Sequence, residues 1–392
     1  MTKSKTDIAI IGGGIAGSAA AVLLGRAGYD LTIIDPHESF PEDFRCEKFN
    51  VEQIATLERM GLGEFVFDAL TPISDIWIAR FGQLVNKMDY PHYGFSYKTV
   101  IDAMRASIPQ SVEFIRTKVK SVDNGPERQI LQLANGEEIS ARLVVMANGL
   151  NPGLRKKLDV PQAMISKHHC MAIGFDVAPL AGQRFDFQSM TFWPEKVSKN
   201  MAYFTAFMCD ESFRANMFGY WDKDDLFLSQ LQKEPEKALN QLMPKLGPMI
   251  GGFKVQGRVH VRPIDLLQND PHKIDGVVFV GDAYSTSCPG AGTGAGKALV
   301  DVERLCLAHI PHWMENKDMS ASTLASFYRD KEKQESDHAS FKAAYFLRNL
   351  TMNREMAWHA RRWARYLYHF VKGRVGSNAD NGRSETSFEQ AA

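Results

Sequence analysis

The sequence has few of the residues that build disulfide frameworks or metal sites. Its 392 residues include only five cysteines, an odd number scattered along the chain: Cys46, Cys170, Cys209, Cys288 and Cys306. Such a set is typical neither of paired disulfides nor of a zinc site. We therefore expect reduced thiols, a cytoplasmic location and no bound metal.

An excess of charge of one sign is also absent. Lys and Arg together number 46, and so do Asp and Glu, which gives a formal net charge of zero. A balanced chain has no general attraction to nucleic acid or to acidic lipid, so we expect no nucleic-acid partner.

Long apolar runs are lacking as well. The most apolar stretch, from Ile8 to Leu24, contains three successive glycines and is followed by Arg26. This pattern is typical of a strand, a turn and a helix rather than of a signal peptide or a membrane span. The sequence predicts no transmembrane segment.

The first 35 residues predict a right-handed βαβ unit. Residues 7–11 (DIAII) favour a buried parallel strand, residues 15–27 a closely packed helix, and residues 31–35 a second strand. Such a unit opens many nucleotide-binding domains.

The turn of this unit carries a dinucleotide fingerprint. Gly12, Gly14 and Gly17 fit G-x-G-x-x-G, with Ala16 in the same turn, and Asp35 follows Gly17 by 18 residues at the end of the second strand. Glycines permit the tight turn, the approach to a pyrophosphate and the helix–strand contact, and Asp35 can accept hydrogen bonds from ribose hydroxyls. The fingerprint alone does not separate FAD from NAD.

A second nucleotide signature lies about 270 residues further on. The segment 276–285 predicts a buried strand that ends at Gly281 and Asp282, and a glycine-rich turn then opens a helix from about residue 293 to 309. A carboxylate at a strand end can hold the ribityl chain of a flavin. A helix dipole stabilises the flavin edge that becomes negative on reduction. The turn residues expected to contact the cofactor are Pro289, Gly292, Thr293 and Gly294.

The stretch GDAYSTSCPGAGTGAGKALVD resembles the GD motif of the group A flavoprotein monooxygenases, the p-hydroxybenzoate hydroxylase-like (PHBH-like) family. The resemblance covers residues 6–310. It implies an α/β fold with a Rossmann-like FAD-binding domain, an inserted antiparallel-sheet substrate domain and C-terminal helices. It also implies Arg45 as a cofactor contact. Asn148 stands where the family usually has an aspartate that touches both FAD and NADPH.

The domain bounds follow from changes in pattern along the chain. The predicted units, in order, are an FAD-binding domain at 1–90, 97–165 and 255–310, a substrate-binding sheet with a helix at 166–254, C-terminal helices at 311–375, and a disordered tail at 376–392. The C-terminal helices carry aromatic and arginine residues that could face a membrane, an anionic partner or the protein body.

The resemblance implies an FAD-dependent monooxygenase that hydroxylates or epoxidises a small aromatic or polycyclic substrate through a flavin C4a-hydroperoxide. Oxygen is then a co-substrate, and NADPH or NADH a transient reductant unless a separate flavin reductase replaces it. The catalytic chemistry belongs to the flavin, so no catalytic side chain is predicted. Aromatic residues of the inserted sheet are the substrate-pocket candidates: Phe192, Trp193, Tyr203 and Phe204.

Three alternatives remain open. On the same fold the chain could be a flavin-dependent halogenase, although the tryptophan-halogenase motif W-x-W-x-I-P is missing, or a reductase of the geranylgeranyl type. It could also be a flavin-containing binding or redox-sensing subunit. The sequence does not decide whether the chain forms a homodimer.

Overall fold

The computed structural model describes residues 3–42, 44 and 47–375. The predicted contact Arg45 and the predicted tail 376–392 lie outside these residues.

The described residues form the following strands: β1 Lys3–Ile11, β2 Leu31–Ile34, β3 Lys48–Asn50, β4 Thr71–Arg80, β5 Gln83–Gly94, β6 Glu113–Ile115, β7 Val119–Asp123, β8 Gln129–Leu133, β9 Glu138–Met146, β10 Gln162–Pro179, β11 Ser189–Phe192, β12 Met201–Cys209, β13 Ser212–Gly219, β14 Phe253–Asn269 and β15 Val277–Phe279. The helices are α1 Ile15–Arg26, α2 Val51–Arg59, α3 Gly63–Val66, α4 Tyr97–Ala106, α5 Gly153–Lys157, α6 Leu226–Lys233, α7 Pro235–Leu242, α8 Leu246–Ile250, α9 Gly294–Arg304, α10 Ile310–Asn316, α11 Ala321–Tyr328, α12 Lys331–Met352 and α13 Met356–Val375.

The first sheet has the order β6-β2-β1-β9-β8-β7, and β15 pairs with β9 as well. Strands β6, β2, β1, β9 and β15 run parallel, while β7 and β8 are antiparallel additions. The central strands are continuous apolar runs whose side chains are fully buried, because helices cover a parallel sheet on both faces. The predicted βαβ unit is confirmed.

The second sheet has the order β14-β10-β13-β12-β11-β4-β5-β3. Its neighbours are antiparallel except for β11 and β4, which run parallel. An antiparallel sheet was predicted between about 165 and 225, and the structure confirms it there.

Some strands of the second sheet come from outside the predicted substrate segment. Strands β3 and β4 come from residues assigned to the FAD-binding domain, and so do most of β5 and nearly all of β14. Pairing between strands more than 100 residues apart leaves no local periodicity, which is why the sequence pattern missed it. The domain bounds themselves stay a prediction.

The two faces of the second sheet have different neighbours. One face packs under α6, α7 and α8 in a core that includes Phe175, Met190 and Met217. The opposite face meets α12 and a 3-10 turn at Pro289–Ala291, in a cluster that includes Phe218 and Cys288. The second face therefore lies toward the glycine-rich turn of the predicted flavin signature.

The C-terminal helices follow the first sheet. Helix α12 packs against α9, and α13 lies along β5. Among the described residues, no helix combines the length and the apolar character needed to cross a bilayer.

Candidate flavin site

The β1–α1 turn is shaped by close backbone contacts. Gly12 has φ +102°, and a Cβ there would lie 2.5 Å from the carbonyl oxygen of Ala147. A Cβ on Gly17 would lie 1.8 Å from the carbonyl oxygen of Gly12. These two glycines are required by the protein itself, because no side chain fits between the turn, the helix and β9.

Gly14 differs, because its surroundings are less crowded and contain no backbone atom within 4 Å of a Cβ. It is the N-cap of α1, where no side chain caps the helix and no acidic residue stands in the first turn. The nearest atom to a Cβ on Gly14 would be the Tyr97 hydroxyl, at 3.3 Å. Ala16 lies in the first turn of the same helix. The positive end of the α1 dipole is therefore available to an anionic group, as a pyrophosphate requires.

Asp35 lies beside this turn and is nearly buried. Its carboxylate accepts the backbone N–H of Gly13 at 2.8 Å and that of His37 at 2.9 Å. Arg105 adds an ion pair with Asp35 at 3.0 Å. Asp35 thus orients the turn, and its remaining acceptor capacity is what a ribose hydroxyl would use.

Two residues of α4 complete the turn, and the sequence analysis did not select either. The Tyr97 hydroxyl accepts the N–H of Ile15 at 3.2 Å, and Arg105 donates to the carbonyl of Gly13. The sequence carries no local signal for the direction in which the polar side chains of this helix point.

Asn148 follows β9 and reaches the same turn. A Cβ on Gly12 would lie 2.8 Å from the Cα of Asn148. The Asn148 amide donates to the carbonyl of Asn151 at 3.3 Å. Asn148 is therefore next to the β1–α1 turn, which we call the phosphate turn, as the resemblance implies.

The two nucleotide signatures meet across the first sheet. Because β15 and β1 both pair with β9, Gly281 comes close to α1, and a Cβ on Gly281 would lie 3.7 Å from that of Ala16. Gly281 has φ +57° and begins a 3-10 turn, Gly281–Ala283, on which Asp282 is exposed. The predicted ribityl contact is thus on the surface of the turn.

A buried ion network holds this second turn. Asp301 accepts the N–H of Gly281 at 2.8 Å and pairs with Lys333 at 2.9 Å. Lys333 also pairs with Asp337 at 2.9 Å, and Lys297 donates to the carbonyl of Ser285 at 3.0 Å. Buried charges of this kind are stable only when paired, so the network fixes the turn relative to α9 and α12.

The glycine-rich turn leads directly into α9. Pro289 begins the 3-10 turn, Gly292 has φ +69° and Thr293 is the N-cap without a side-chain cap bond. Gly294 opens the helix, and a Cβ placed on it would lie 3.5 Å from the Cβ of Ser287. The first turn of α9 contains no acidic residue. Two uncapped helix N-termini thus belong to the two nucleotide signatures, and this arrangement fits FAD, with a pyrophosphate at α1 and a flavin at α9.

The family described as "FAD binding domain" matches residues 5–312. The chain belongs to this family. The predicted resemblance to the group A flavoprotein monooxygenases is confirmed, and FAD is the cofactor of the chain.

Named relatives agree with this assignment. The chain is 24% identical to 6-hydroxynicotinate 3-monooxygenase of Bordetella bronchiseptica over 324 residues, which is 77% of this chain and 82% of the relative. It is 30% identical to menaquinone reductase of Mycobacterium tuberculosis, but only over 39% of this chain and 40% of the relative. Among solved structures, p-nitrophenol 4-monooxygenase PnpA from Pseudomonas putida DLL-E4 has a TM-score of 0.76 at 17% identity, covering 96% of both chains.

The substrate-pocket candidates of this flavoprotein divide between the two faces of the second sheet. Tyr203 donates to the carbonyl of Gly290 in the flavin turn at 2.7 Å, and the Trp193 ring lies 5.3 Å from the Tyr203 ring. Phe192 and Phe204 are buried on the opposite face, under α6 to α8. The two pairs lie on different faces because neighbouring residues of a strand point to opposite sides, and the pocket role of all four residues stays a prediction.

A buried polar cluster lies on the face that bears Tyr203. The Glu47 carboxylate accepts from Arg214 at 2.7 Å and from Asn216 at 2.9 Å, and Arg214 also pairs with Asp176 at 2.8 Å. Burial raises the pKa of Glu47 to about 7, although Arg214 and Asn216 act in the opposite direction. No local sequence pattern indicates the cluster, because its members are far apart in the chain.

The same face carries three hydroxyl groups without a hydrogen-bond partner. Among the described residues, the hydroxyls of Ser189, Thr205 and Tyr220 are buried with no hydrogen-bond partner. A buried hydroxyl without a partner costs about 1–3 kcal/mol, so each of the three would be stabilised by a bound water or ligand.

Two thiols lie behind the flavin turn. The Sγ atoms of Cys170 and Cys288 are 3.4 Å apart, and both residues are buried and free. The hydrogen bond to Cys288 and burial raise the pKa of Cys170 well above its usual range. The expectation of reduced thiols is consistent with this pair, whereas Cys46 lies outside the described residues.

Proposed function

We propose that the chain is an FAD-dependent monooxygenase that hydroxylates a small aromatic molecule. The match to 6-hydroxynicotinate 3-monooxygenase carries the proposal, because it spans 77% of this chain and 82% of that enzyme and so includes the substrate sheet as well as the nucleotide turns. The menaquinone reductase match spans only 39% of the chain, which is weaker support for the reductase alternative.

In the proposed site, each nucleotide turn holds one part of FAD. The α1 N-terminus at Gly14 binds the pyrophosphate and Asp35 the adenosine ribose, while Asp282 binds the ribityl chain. The turn from Pro289 to Gly294 holds the flavin edge against the N-terminus of α9. Bound FAD supplies the reaction with dioxygen.

The aromatic substrate is proposed to bind on the face of the second sheet that bears Tyr203. Trp193 and Tyr203 offer aromatic surface there, and the orphan hydroxyls of Ser189, Thr205 and Tyr220 offer hydrogen bonds. The enclosed face excludes water from the reacting atoms. Glu47, with its raised pKa, is a proton donor or acceptor of suitable strength near neutral pH.

The reductant is proposed to be NADPH or NADH that visits the flavin transiently. Asn148, beside the phosphate turn, lacks the carboxylate that the family usually has, so reduction by a separate flavin reductase is the second route. We propose a cytoplasmic location, and a homodimer is compatible with the fold.

The test begins with the purified holoenzyme. Its flavin is identified after extraction, and aromatic acids, phenols and hydroxypyridines are screened for stimulation of NADPH or NADH oxidation. With a stimulating compound, isotopically labelled oxygen gas should place one labelled atom in the product. Chemically reduced enzyme supplies the same test without a nicotinamide cofactor.

Other results would assign another function. A confirmed product without labelled oxygen would reject the monooxygenase and favour a reductase, and chloride-dependent halogenation would favour a halogenase. Flavin reduction that no compound stimulates, by either reductant route, would favour a binding or redox-sensing subunit.

A further inference from the structure

The outward face of helix α13 is apolar. Met356 is 88% exposed, and Trp363, Leu367 and Val371 are 55%, 54% and 54% exposed. These positions are separated by seven, four and four residues, so they form one stripe along the helix, with Tyr368 at its border. Exposed apolar patches commonly mark interaction sites. This stripe is therefore a candidate surface for a partner.

The opposite face of α13 already has its partners. Arg362 donates to the carbonyl of Leu350 at 2.7 Å, and the Tyr366 hydroxyl donates to Gln83 at 3.1 Å. A Cβ on Gly373 would lie 2.3 Å from the carbonyl oxygen of Val85, so the helix end presses on β5. The helix is therefore fixed with its apolar stripe outward, and turning that stripe inward would break these contacts.

The charge on α13 has one sign. The segment 356–375 contains no Asp or Glu, but it carries five cations: Arg361, Arg362, Arg365, Lys372 and Arg374. The whole chain has zero net charge, so this helix is a local concentration of positive charge. Arg361 and Lys372 are exposed beside the apolar stripe.

The positive charge of α13 favours an anionic membrane over a second copy of the chain as the partner of the apolar stripe. Two copies of α13 packed face to face would bring the exposed cations Arg361, Lys372 and Arg374 of each helix together, with no acidic residue on either helix to offset them. An anionic lipid surface offers both an apolar layer for the stripe and negative headgroups for the flanking cations.

We propose that α13 docks the protein on an anionic membrane surface. The helix lies in the plane of the interface, with Trp363, Leu367 and Val371 in the boundary of the acyl chains and Arg361 and Lys372 at the headgroups. It does not span the bilayer, since among the described residues no helix qualifies as a span.

The docking surface borders a cavity. Residues of β4, β12, α12 and α13 line it, among them Arg80, Phe81, Trp193 and Arg362. The Phe81 ring lies 5.2 Å from that of Trp363 on the stripe, and the Trp193 ring lies 5.3 Å from that of Tyr203. Docking would thus bring this cavity near the bilayer. Whether the cavity is relevant to the substrate rests on the proposed function. The docking itself does not depend on catalysis.

The test uses flotation of the full-length holoenzyme with two kinds of vesicle, one of phosphatidylcholine alone and one with about a third phosphatidylglycerol. The protein should float with the anionic vesicles and remain behind with the neutral ones, and salt should weaken the binding. The double variant Trp363→Glu/Leu367→Glu should abolish flotation. Arg361→Gln/Lys372→Gln should weaken binding by roughly fivefold per cation removed.

Leu226→Glu is the matched control, because Leu226 is 83% exposed on another helix and should not affect flotation. All substituted side chains are exposed, although the Trp363 ring also contacts Phe81. Flavin content and melting temperature at the wild-type level are therefore required of each variant before its flotation is compared. Equal binding to both vesicles, no binding to either, or binding unaffected by the α13 variants would overturn the proposal. So would a dimer that Trp363→Glu dissociates in the absence of vesicle binding, which would assign the stripe to a second copy of the chain. None of these readouts requires substrate turnover, so their failure is separable from failure of the monooxygenase proposal.

Discussion

The Arg105 guanidinium donates two hydrogen bonds to the carbonyl oxygen of Gly13. Two nitrogens of the guanidinium, Nε and Nη2, donate to it at 2.9 and 2.7 Å, and the same group contacts Asp35 at 3.0 Å. A third nitrogen donates to the carbonyl of His37 at 2.7 Å. One side chain from α4 therefore ties the phosphate turn to the end of β2.

Substitution of Arg105 by methionine should lower both stability and FAD affinity. Removal of one partner of a buried ion pair leaves the other charge uncompensated, which costs on the order of 3–5 kcal/mol. Urea unfolding and titration of the apoprotein with FAD measure the two effects. Arg105→Lys should recover only part of the loss, because an ammonium cannot donate in the same fork geometry. Unchanged unfolding of the methionine variant would contradict the role of this contact.

Gly14 and Gly17 should give different results when each is enlarged. Gly14→Val should yield folded, colourless protein, because only the FAD pyrophosphate and a hydroxyl at 3.3 Å compete for that space. Gly17→Val should fail to fold, since its Cβ would lie 1.8 Å from a backbone oxygen. Circular dichroism and flavin absorbance separate the two results. Bound flavin at the wild-type level in Gly14→Val would reject the phosphate site.

Asp282→Ala should weaken FAD binding by about ten- to a hundredfold. A hydrogen bond to a charged group contributes about 1.5–3 kcal/mol, and 1.4 kcal/mol corresponds to a factor of ten. The exposed Asp224, which lies before α6, provides a control at which alanine should have no effect. Equal dissociation constants for the two variants would exclude Asp282 as a flavin contact.

Tyr203 and Phe204 offer a test of the two faces of the sheet. Phe204→Ala should destabilise the fold by about 3–5 kcal/mol, because the ring is buried under α6 to α8. Tyr203→Phe removes only a hydroxyl bonded to Gly290, so it should cost about 1 kcal/mol in stability while changing the flavin spectrum or KM. A spectrum and KM that stay unchanged would place the substrate elsewhere.

Glu47 should make stability depend on pH. Burial raises its pKa from an ordinary 4.5 to about 7, so the folded protein binds more protons than the unfolded chain between these values. Stability is then highest below pH 4.5 with respect to this group and falls as the pH rises to 7, by about 3 kcal/mol. Glu47→Gln should remove this slope, as urea unfolding at several pH values would measure. Parallel pH profiles for the two proteins would argue against the raised pKa.

The sequence predicted the parts of the site that depend on local backbone geometry. Gly12 and Gly17 stand in a turn whose tight contacts only glycine permits, and this requirement is visible in a few consecutive residues. Arg105 and Glu47 depend on how separate elements pack, since Glu47 meets Arg214 from a strand 167 residues away. No local pattern contains that information.

The face on which each pocket aromatic lies was not predictable for a related reason. Alternation along β11 and β12 predicts that neighbours face opposite ways, but it does not tell which set faces the flavin. The choice depends on the position of the turn at Pro289–Ala291, which contacts the face of Tyr203 and not that of Phe204. Segment assignments also missed that β4 pairs with β11, because those strands are separated by α4 and much of the first sheet.

The order of strands in the first sheet has a consequence for biosynthesis. Strand β9 pairs with β1 on one edge, while its other edge pairs with β8 over residues 138–141 and with β15 over residues 144–146. The last three residues of that second edge therefore stay unpaired until most of the protein has left the ribosome. At usual rates of synthesis this delay is on the order of tens of seconds, long enough for an unpaired apolar strand to meet another chain. Fragments that end before β15 should therefore aggregate rather than persist as independent nucleotide-binding units. Expression in the cell should depend on holdase chaperones that cover this edge until β15 arrives.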